Sequence, residues 1–465
     1  MMSLLSLNQC SDKQGPNNMN QNGNNAYLWT KMPEISGFFL ILICAFAVAS
    51  PAYAEVLTLS AGLKLVTENS RIIKITRHEE KMAEADTLLA KSRTLPEINA
   101  SAGYTSLAHK PVALFGKQSV PVSEKNYLTY SLTVQQTLYD FQRNASRYEA
   151  SRKVLNAKTI DAERVRNLVA IDFVLVYLEL LETQNLLKVS EREVERLESH
   201  LRDAKTQYEA GVITKNDLLQ TEVKISDAKQ RRLSIQNLRA VTASRLNNAL
   251  ARPLTAELQI EEIRETSPYG LDIDLEQAWA IAEQQRPELR MAAEMISALE
   301  LEKTAVGTEY FPRFFLRGGY DYTENSYQLH EENWSVTLGM GINLYQGGRT
   351  RAEIRKIGEQ RLKLLEERDK LKDDIRLEVQ KYLFDAKTAQ GRANVTKDSV
   401  AQAEENLRIN RVKYAEGVGT ATEVLDAVAL LTVAETNFYR SLYDLKKAEA
   451  AVLYALGKDL LEVYN

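Results

Sequence analysis

Internal self-similarity, helical heptads and two-residue alternation predict a mainly α chain that also carries membrane β-strands. The chain reads as a tandem duplication. Leu57 through Lys74 aligns with Ile273 through Arg290 at an offset of 216, as do Leu95-Pro96 with Phe311-Pro312 and Gly103-Tyr104 with Gly319-Tyr320. Farther on the offset is 206, where Leu138-Tyr139 meets Leu344-Tyr345 and the stretch Tyr208 to Val212 meets Tyr414 to Val418. The slip between these offsets puts a longer loop between Tyr104 and Leu138 in the first half. Self-similarity at a fixed offset means that one structural unit occurs twice.

Composition supports long helices and excludes several function classes. The 465 residues include only 20 Gly and 10 Pro, with 26% charged side chains. A net charge of −4 leaves no basic footprint for nucleic acid. Two Cys and four scattered His offer little for a metal site, and no nucleophile, base and orienting group converge. No GxxxxGK[ST] or GxGxxG loop is present, so neither a metal, a cofactor nor an enzymatic activity is expected.

Residues 1–54 read as an upstream extension followed by a cleavable signal peptide. Lys31 precedes the apolar run Phe38 to Ala49, and Ala52-Tyr53-Ala54 has the form of a cleavage site. Met32 offers a second start. Cys44 follows Ile43, where lipid attachment needs a small residue, so acylation is not expected. No other stretch is apolar enough for a spanning helix, which leaves a β-barrel as the route through a membrane.

The first unit is assigned to 55–256, a connector to 257–272, the second unit to 273–457 and a tail to 458–465. Each unit opens with a helical stretch (58–94 and 275–310) that ends before a Pro. Two short alternating segments follow, then a very long helix (141–208 and 349–414), a Gly turn and a second helix (215–250 and 421–456). Leu187, Val194, Leu197, Leu201, Ala204 and Tyr208 keep a 3-4 spacing, echoed by Val400, Ala403, Leu407 and Tyr414. That spacing predicts coiled-coil packing. At 1.5 Å per residue the long helices extend about 100 Å, and two shorter ones stacked end to end match each of them.

The alternating segments have a different period. Leu128, Tyr130, Leu132, Val134 and Leu138 alternate with polar residues, as do Trp334, Val336, Leu338, Met340, Ile342 and Leu344. One apolar and one polar face over such a length marks a barrel strand whose apolar side meets lipid. A pair of hairpins on a soluble core is the alternative reading. Tyr127, Tyr130, Tyr322 and Trp334 are candidates for an interfacial aromatic girdle. Four strands are too few to close a barrel, for which eight is about the minimum. Three copies supply twelve; two or four copies also satisfy closure.

Across 57–457 the chain resembles the TolC family of outer-membrane efflux and secretion ducts. The resemblance rests on the duplicated element order, the run Leu344 to Arg349 (LYQGGR), and the tip motifs, above all Tyr414 to Asp426 (YAEGVGTATEVLD). It implies a homotrimer with a 12-stranded barrel in the outer membrane of a Gram-negative bacterium, continuous with an α-helical barrel in the periplasm. It also implies a periplasmic adaptor and an inner-membrane ABC, RND or MFS transporter as partners. The duct itself would be passive. A membrane-anchored structural or adhesive coiled-coil protein is the alternative, distinguished by giving no single-channel conductance.

Individual residues follow. Gly211 and Gly417 suit helix termination with positive φ. The resemblance places adaptor docking at these turns, on Gly211, Val212 and Thr214 and on Gly417, Val418, Gly419 and Thr420. Thr420 and Glu423 form a capping box, and Thr214 with Asp217 a weaker one. Asp426 has Gln220 as its repeat partner, so the fold does not demand an acid there. The resemblance implies that Asp426, with Glu423, lines a cation-favouring entrance. His78, His109, His200 and His330 are expected at the surface, and Phe141-Gln142 in place of Gly347-Gly348 reads as ordinary divergence. Scattered Met speaks against a copper route, and the cargo stays open between drugs, proteins and metals.

Overall fold

The computed structural model describes residues 56–263 and 273–464, within one compact unit. The expected signal peptide and most of the connector lie outside the described residues. Nine helices and six strands are described: α1 (Leu59–Asn69), α2 (Arg71–Ser92), β1 (Glu97–Ser106), β2 (Val112–Phe115), β3 (Gln118–Pro121), β4 (Asn126–Tyr139), α3 (Arg143–Glu209) and α4 (Lys215–Ala249), then α5 (Leu275–Gln285), α6 (Pro287–Gly307), β5 (Arg313–Thr323), β6 (Glu332–Gly341), α7 (Arg349–Ala415), α8 (Ala421–Ala455) and α9 (Leu460–Val463). No helix among them is long and apolar enough to cross a membrane.

The expected single helices 58–94 and 275–310 are each broken. Ser70 and Arg286, equivalent positions in the two repeats, take extended ψ values of 127° and 121°. Pro287 explains the second break, because the residue before a proline is pushed out of the α region. The first repeat has Arg71 there, so its break is imposed by packing. The extra loop length of the first repeat folds as the β2–β3 hairpin.

In the half nearer the sheet α2, α3, α6 and α7 lie side by side in that order; in the other half the order is α4, α3, α8, α7. Between the halves, α1, α5 and α9 cover the long helices. Leu63 and Val66 of α1 and Leu460 of α9 join the core around Phe173, Val174 and Tyr177 of α3. Ala278 and Ala282 of α5 pack on Ile375, Val379 and Leu383 of α7. The Tyr177 hydroxyl donates to the carbonyls of Leu57 (2.9 Å) and Glu261 (2.7 Å), tying both chain segments to α3.

The sheet has order β1-β4-β5-β6, antiparallel throughout, so the repeats join through β4 and β5. The register puts Ile98, Ala100, Ala102 and Tyr104 of β1 on one face with Leu128, Tyr130, Leu132 and Val134 of β4. Phe314, Leu316, Tyr320 and Tyr322 of β5 and Trp334, Val336, Leu338 and Met340 of β6 continue it. The opposite face is mostly polar, with Ser101 bonded to Ser131 and Arg317 to Gln135. Ile342 falls just beyond the end of β6, which stops at Gly341. Among the described residues the outer edges of β1 and β6 are unpaired.

Strands turn into long helices through two successive left-handed residues. In the second repeat these are Gly347 and Gly348, with φ 60° and 80°; in the first they are Phe141 and Gln142, with φ 54° and 69°. This is a correction to ordinary divergence, since each non-glycine residue there costs about 1–2 kcal/mol. Phe141 is held by rings: its centroid stands 4.8 Å from both Phe311 and Tyr139.

Two substitutions test this packing. A Cβ on Gly62 of α1 would stand 2.3 Å from Cζ of Phe173, a ring too buried to swing aside. Gly62→Ala is expected to lower stability by about 1–3 kcal/mol in a denaturant melt. Glu435 of α8 is buried and accepts two hydrogen bonds from Arg196 of α3, at 2.8 and 2.9 Å, with Arg192 at 3.4 Å. Glu435→Ala leaves two partly exposed cations without their acceptor and is expected to cost about 1–3 kcal/mol in the same melt.

Candidate entrance tip and membrane face

The sheet and the helix turns at the far end of α3 and α7 are the candidate functional regions. Both tips are built by the same local bonds. At the end of α3, Gly211 (φ 74°) donates to the Tyr208 carbonyl at 2.9 Å and Val212 to Gln207 at 2.8 Å. At the end of α7, Gly417 (φ 75°) donates to Tyr414 at 3.2 Å and Val418 to Lys413 at 3.0 Å. Paired bonds of this kind satisfy the last helical carbonyls and demand a residue that tolerates positive φ.

Capping boxes then start the return helices. Thr214 N–H donates to Asp217 (3.0 Å), and Asp217 N–H donates back to the Thr214 hydroxyl (3.3 Å). Thr420 N–H donates to the Glu423 carboxylate (2.8 Å), and Glu423 N–H to the Thr420 hydroxyl (3.2 Å). Gly419 donates to the Lys413 carbonyl at 3.0 Å, and a Cβ there would press within 3.0–3.1 Å of Lys413. Val212 and Val418 are 64% and 78% exposed, so each turn presents a bare apolar side chain.

Glu423 and Asp426 lie one turn apart on the exposed side of α8, whereas Val424, Leu425 and Val428 enter the core. Their roles differ. The Thr420 amide holds the Glu423 carboxyl below its ordinary value, so this side chain serves the cap. Asp426 makes no hydrogen bond or ion pair among the described residues.

Two expectations are corrected here. Tyr127 pairs with Thr105 on the polar face, so it is not part of a girdle with Tyr130, Tyr322 and Trp334. Tyr130 instead stacks on Tyr322 at 4.5 Å. His200 is not a surface residue; it is 3% exposed and packs on Tyr414. Its burial escaped sequence reasoning because it lies outside the heptad stripe of its own helix. His78, His109 and His330 are exposed. Sequence reasoning also missed the buried acids Glu193 and Glu435, whose cations Arg231 and Arg196 come from other helices or other repeats. Among the described residues no group of three or more His, Cys, Asp or Glu is placed to hold a metal.

The chain matches the outer membrane efflux protein family over residues 62–252 and 280–458, both repeats. It belongs to that family. It is 21% identical to the alkaline protease secretion protein AprF of Pseudomonas aeruginosa, over 92% of this chain and 88% of that one. It is 20% identical to the outer membrane protein TolC of Vibrio cholerae, over 84% of this chain and 90% of that one. Its fold superposes on the outer membrane protein VceC of Vibrio cholerae with a TM-score of 0.75 at 16% identity, covering 86% of this chain and 96% of that one. As an outer membrane efflux protein it is an exit duct for efflux or type I secretion, set in the outer membrane and reaching into the periplasm. Such channels are passive and work with periplasmic adaptors and inner-membrane transporters.

Glu423 and Asp426 are expected to differ in what they contribute to stability. Because the Glu423 value is depressed in the folded chain, its contribution is present above about pH 4.5 and is lost as pH falls through the lowered value. Glu423→Ala is therefore expected to lower the melting temperature at pH 7, with a smaller deficit at pH 3. Asp426→Ala is expected to leave the melt unchanged at both; a loss equal to that of Glu423→Ala would contradict the assignment.

Proposed function

We propose that three copies of this chain assemble into a duct for type I protein secretion. The carrying observation is the sheet: four strands, two edges with no strand neighbour, and one continuous apolar face. Three such sheets joined β6 to β1 supply twelve strands, within the range of closed membrane barrels. Leu128, Tyr130, Leu132 and Val134, with Trp334, Val336, Leu338, Met340 and Ile342 at its lower margin, then form the lipid face. The mostly polar opposite face lines the passage.

At the far end, the turns Gly211 to Thr214 and Gly417 to Thr420 serve as the docking surface for the adaptor. Exposure of Val212 and Val418 supports this, since an apolar side chain bare on a rigid turn is a ready contact. Asp426, unpaired on the exposed side of α8, faces the entrance and contributes one carboxylate per copy to a cation-favouring ring. Protein cargo is supported by AprF, whose name is that of a protease secretion protein and which aligns along most of both chains. The transporter that energises the assembly is an ABC exporter in this reading.

Mass spectrometry of culture supernatant from wild-type and deletion strains tests the cargo. Loss of one or a few large proteins is the expected result. An unchanged secretome with heightened drug sensitivity would transfer the duct to small-molecule efflux. In planar bilayers Asp426→Asn is expected to reduce the cation preference of the open pore, and unchanged selectivity would remove Asp426 from the entrance.

A further inference from the structure

Near the tip, side chains of α3 in the first repeat reach α7 of the second across a polar seam beside α8. His200 packs its ring on Tyr414 with centroids 4.9 Å apart. Its Nε2 atom and the Tyr414 hydroxyl are both buried without a hydrogen-bond partner. They line a cavity of about 330 Å³ together with Asp203, Gln207 and Arg411. One hydrogen bond crosses the seam, from Gln207 Nε2 to the Tyr414 carbonyl at 3.3 Å. The charged groups facing the pair are Asp203 on α3, Arg411 on α7 and Asp217 in the first turn of α4. From α8 the core around Tyr414 receives apolar side chains, Ala421, Val424, Leu425 and Val428 among them.

We propose that His200 is a proton-sensitive latch: its protonation releases α3 from α7 at the tip, so that the entrance opens on acidification. The proposal rests on the duct reading above. A neutral imidazole packed against the Tyr414 ring leaves only uncharged polar atoms unpaired, a smaller cost than burying a charge. An imidazolium in the same place loses its hydration and finds no acceptor for its Nε2 proton. Burial pushes His200 below its ordinary 6.5; Asp203 opposes this and Arg411 adds to it. Parting the helices rehydrates the ring and restores the ordinary value.

The sign follows by linkage. The closed seam keeps its full advantage above pH 6.5 and loses it as pH falls towards the lowered closed-state value. Within that window the ratio of open to closed tips rises by up to about tenfold per pH unit for each copy of the chain. Tyr208, the repeat counterpart of Tyr414, is 40% exposed, so the second tip turn alone carries the latch.

The test places spin labels across the seam, at Thr206→Cys and Ala415→Cys, in exported protein diluted with unlabelled chain. Distances are measured by electron-electron resonance at pH 7.5, 6.5 and 5.5. The expected result is a long-distance population that grows below pH 6.5, and no such growth when His200→Gln is added. A distribution that does not change with pH, or one that responds equally in His200→Gln, would overturn the proposal. If His200→Gln fails to assemble, Arg411→Gln substitutes: removing the cation raises the closed-state value and is expected to blunt the response, and an enlarged response overturns it. Bilayer recordings on the same protein keep the two readings apart, because absence of conductance at every pH sinks the duct and leaves the distance result standing.

Discussion

A backbone amide or carbonyl in hydrocarbon has no water to turn to, and the sheet of this chain is arranged around that constraint. The four strands satisfy one another internally through β1-β4, β4-β5 and β5-β6 pairing. What is left is one bare edge at each side and an apolar face with no core of its own to cover it. A sheet of this kind has to be closed by further strands. The long helices follow from the same demand: once strands stand in a ring, the helices leaving them start in a ring as well.

Duplication meets the constraint economically, and the divergence between the copies shows which backbone features are indispensable. Gly347 and Gly348 make the left-handed turn from strand to helix without strain, yet Phe141 and Gln142 make the same turn with side chains. Ala251 and Gly457 repeat the contrast at the ends of α4 and α8, with φ 55° and 77°. The helix break has Pro287 to enforce it in one copy and only Ser70 in the other. In each case conformation persisted where local preference did not, so the surrounding packing must hold it.

Function divides along the length of the molecule. Near the sheet the demands are geometric, and alternation of apolar with polar side chains meets them. At the tips the demands are chemical as well. There the helix ends are locked by paired backbone bonds and capping boxes, which use Glu423 but leave Asp426 unengaged. The buried acids Glu435 and Glu193, paired with Arg196 and Arg231, join α8 and α4 to α3. The His200–Tyr414 contact stands apart from these, because it joins helices through an imidazole that burial holds below its ordinary 6.5.

The sequence by itself determined whatever repeats with a local period. Alternation assigned the faces of β4 and β6, since neighbouring strand residues point opposite ways. Heptads marked α3 and α7, helped in α3 by the absence of Gly and Pro, and the Gly turns with their capping boxes marked the tips, because those bonds reach only a few residues. Tertiary structure alone decided what depends on a distant partner. Ser70 gives no local sign of a break, and His200 is buried where Tyr414, on another helix of the other repeat, packs over it. The physical reason is reach. Backbone preference and side-chain period act within a turn or two, whereas burial and charge compensation are settled by whichever element packs alongside.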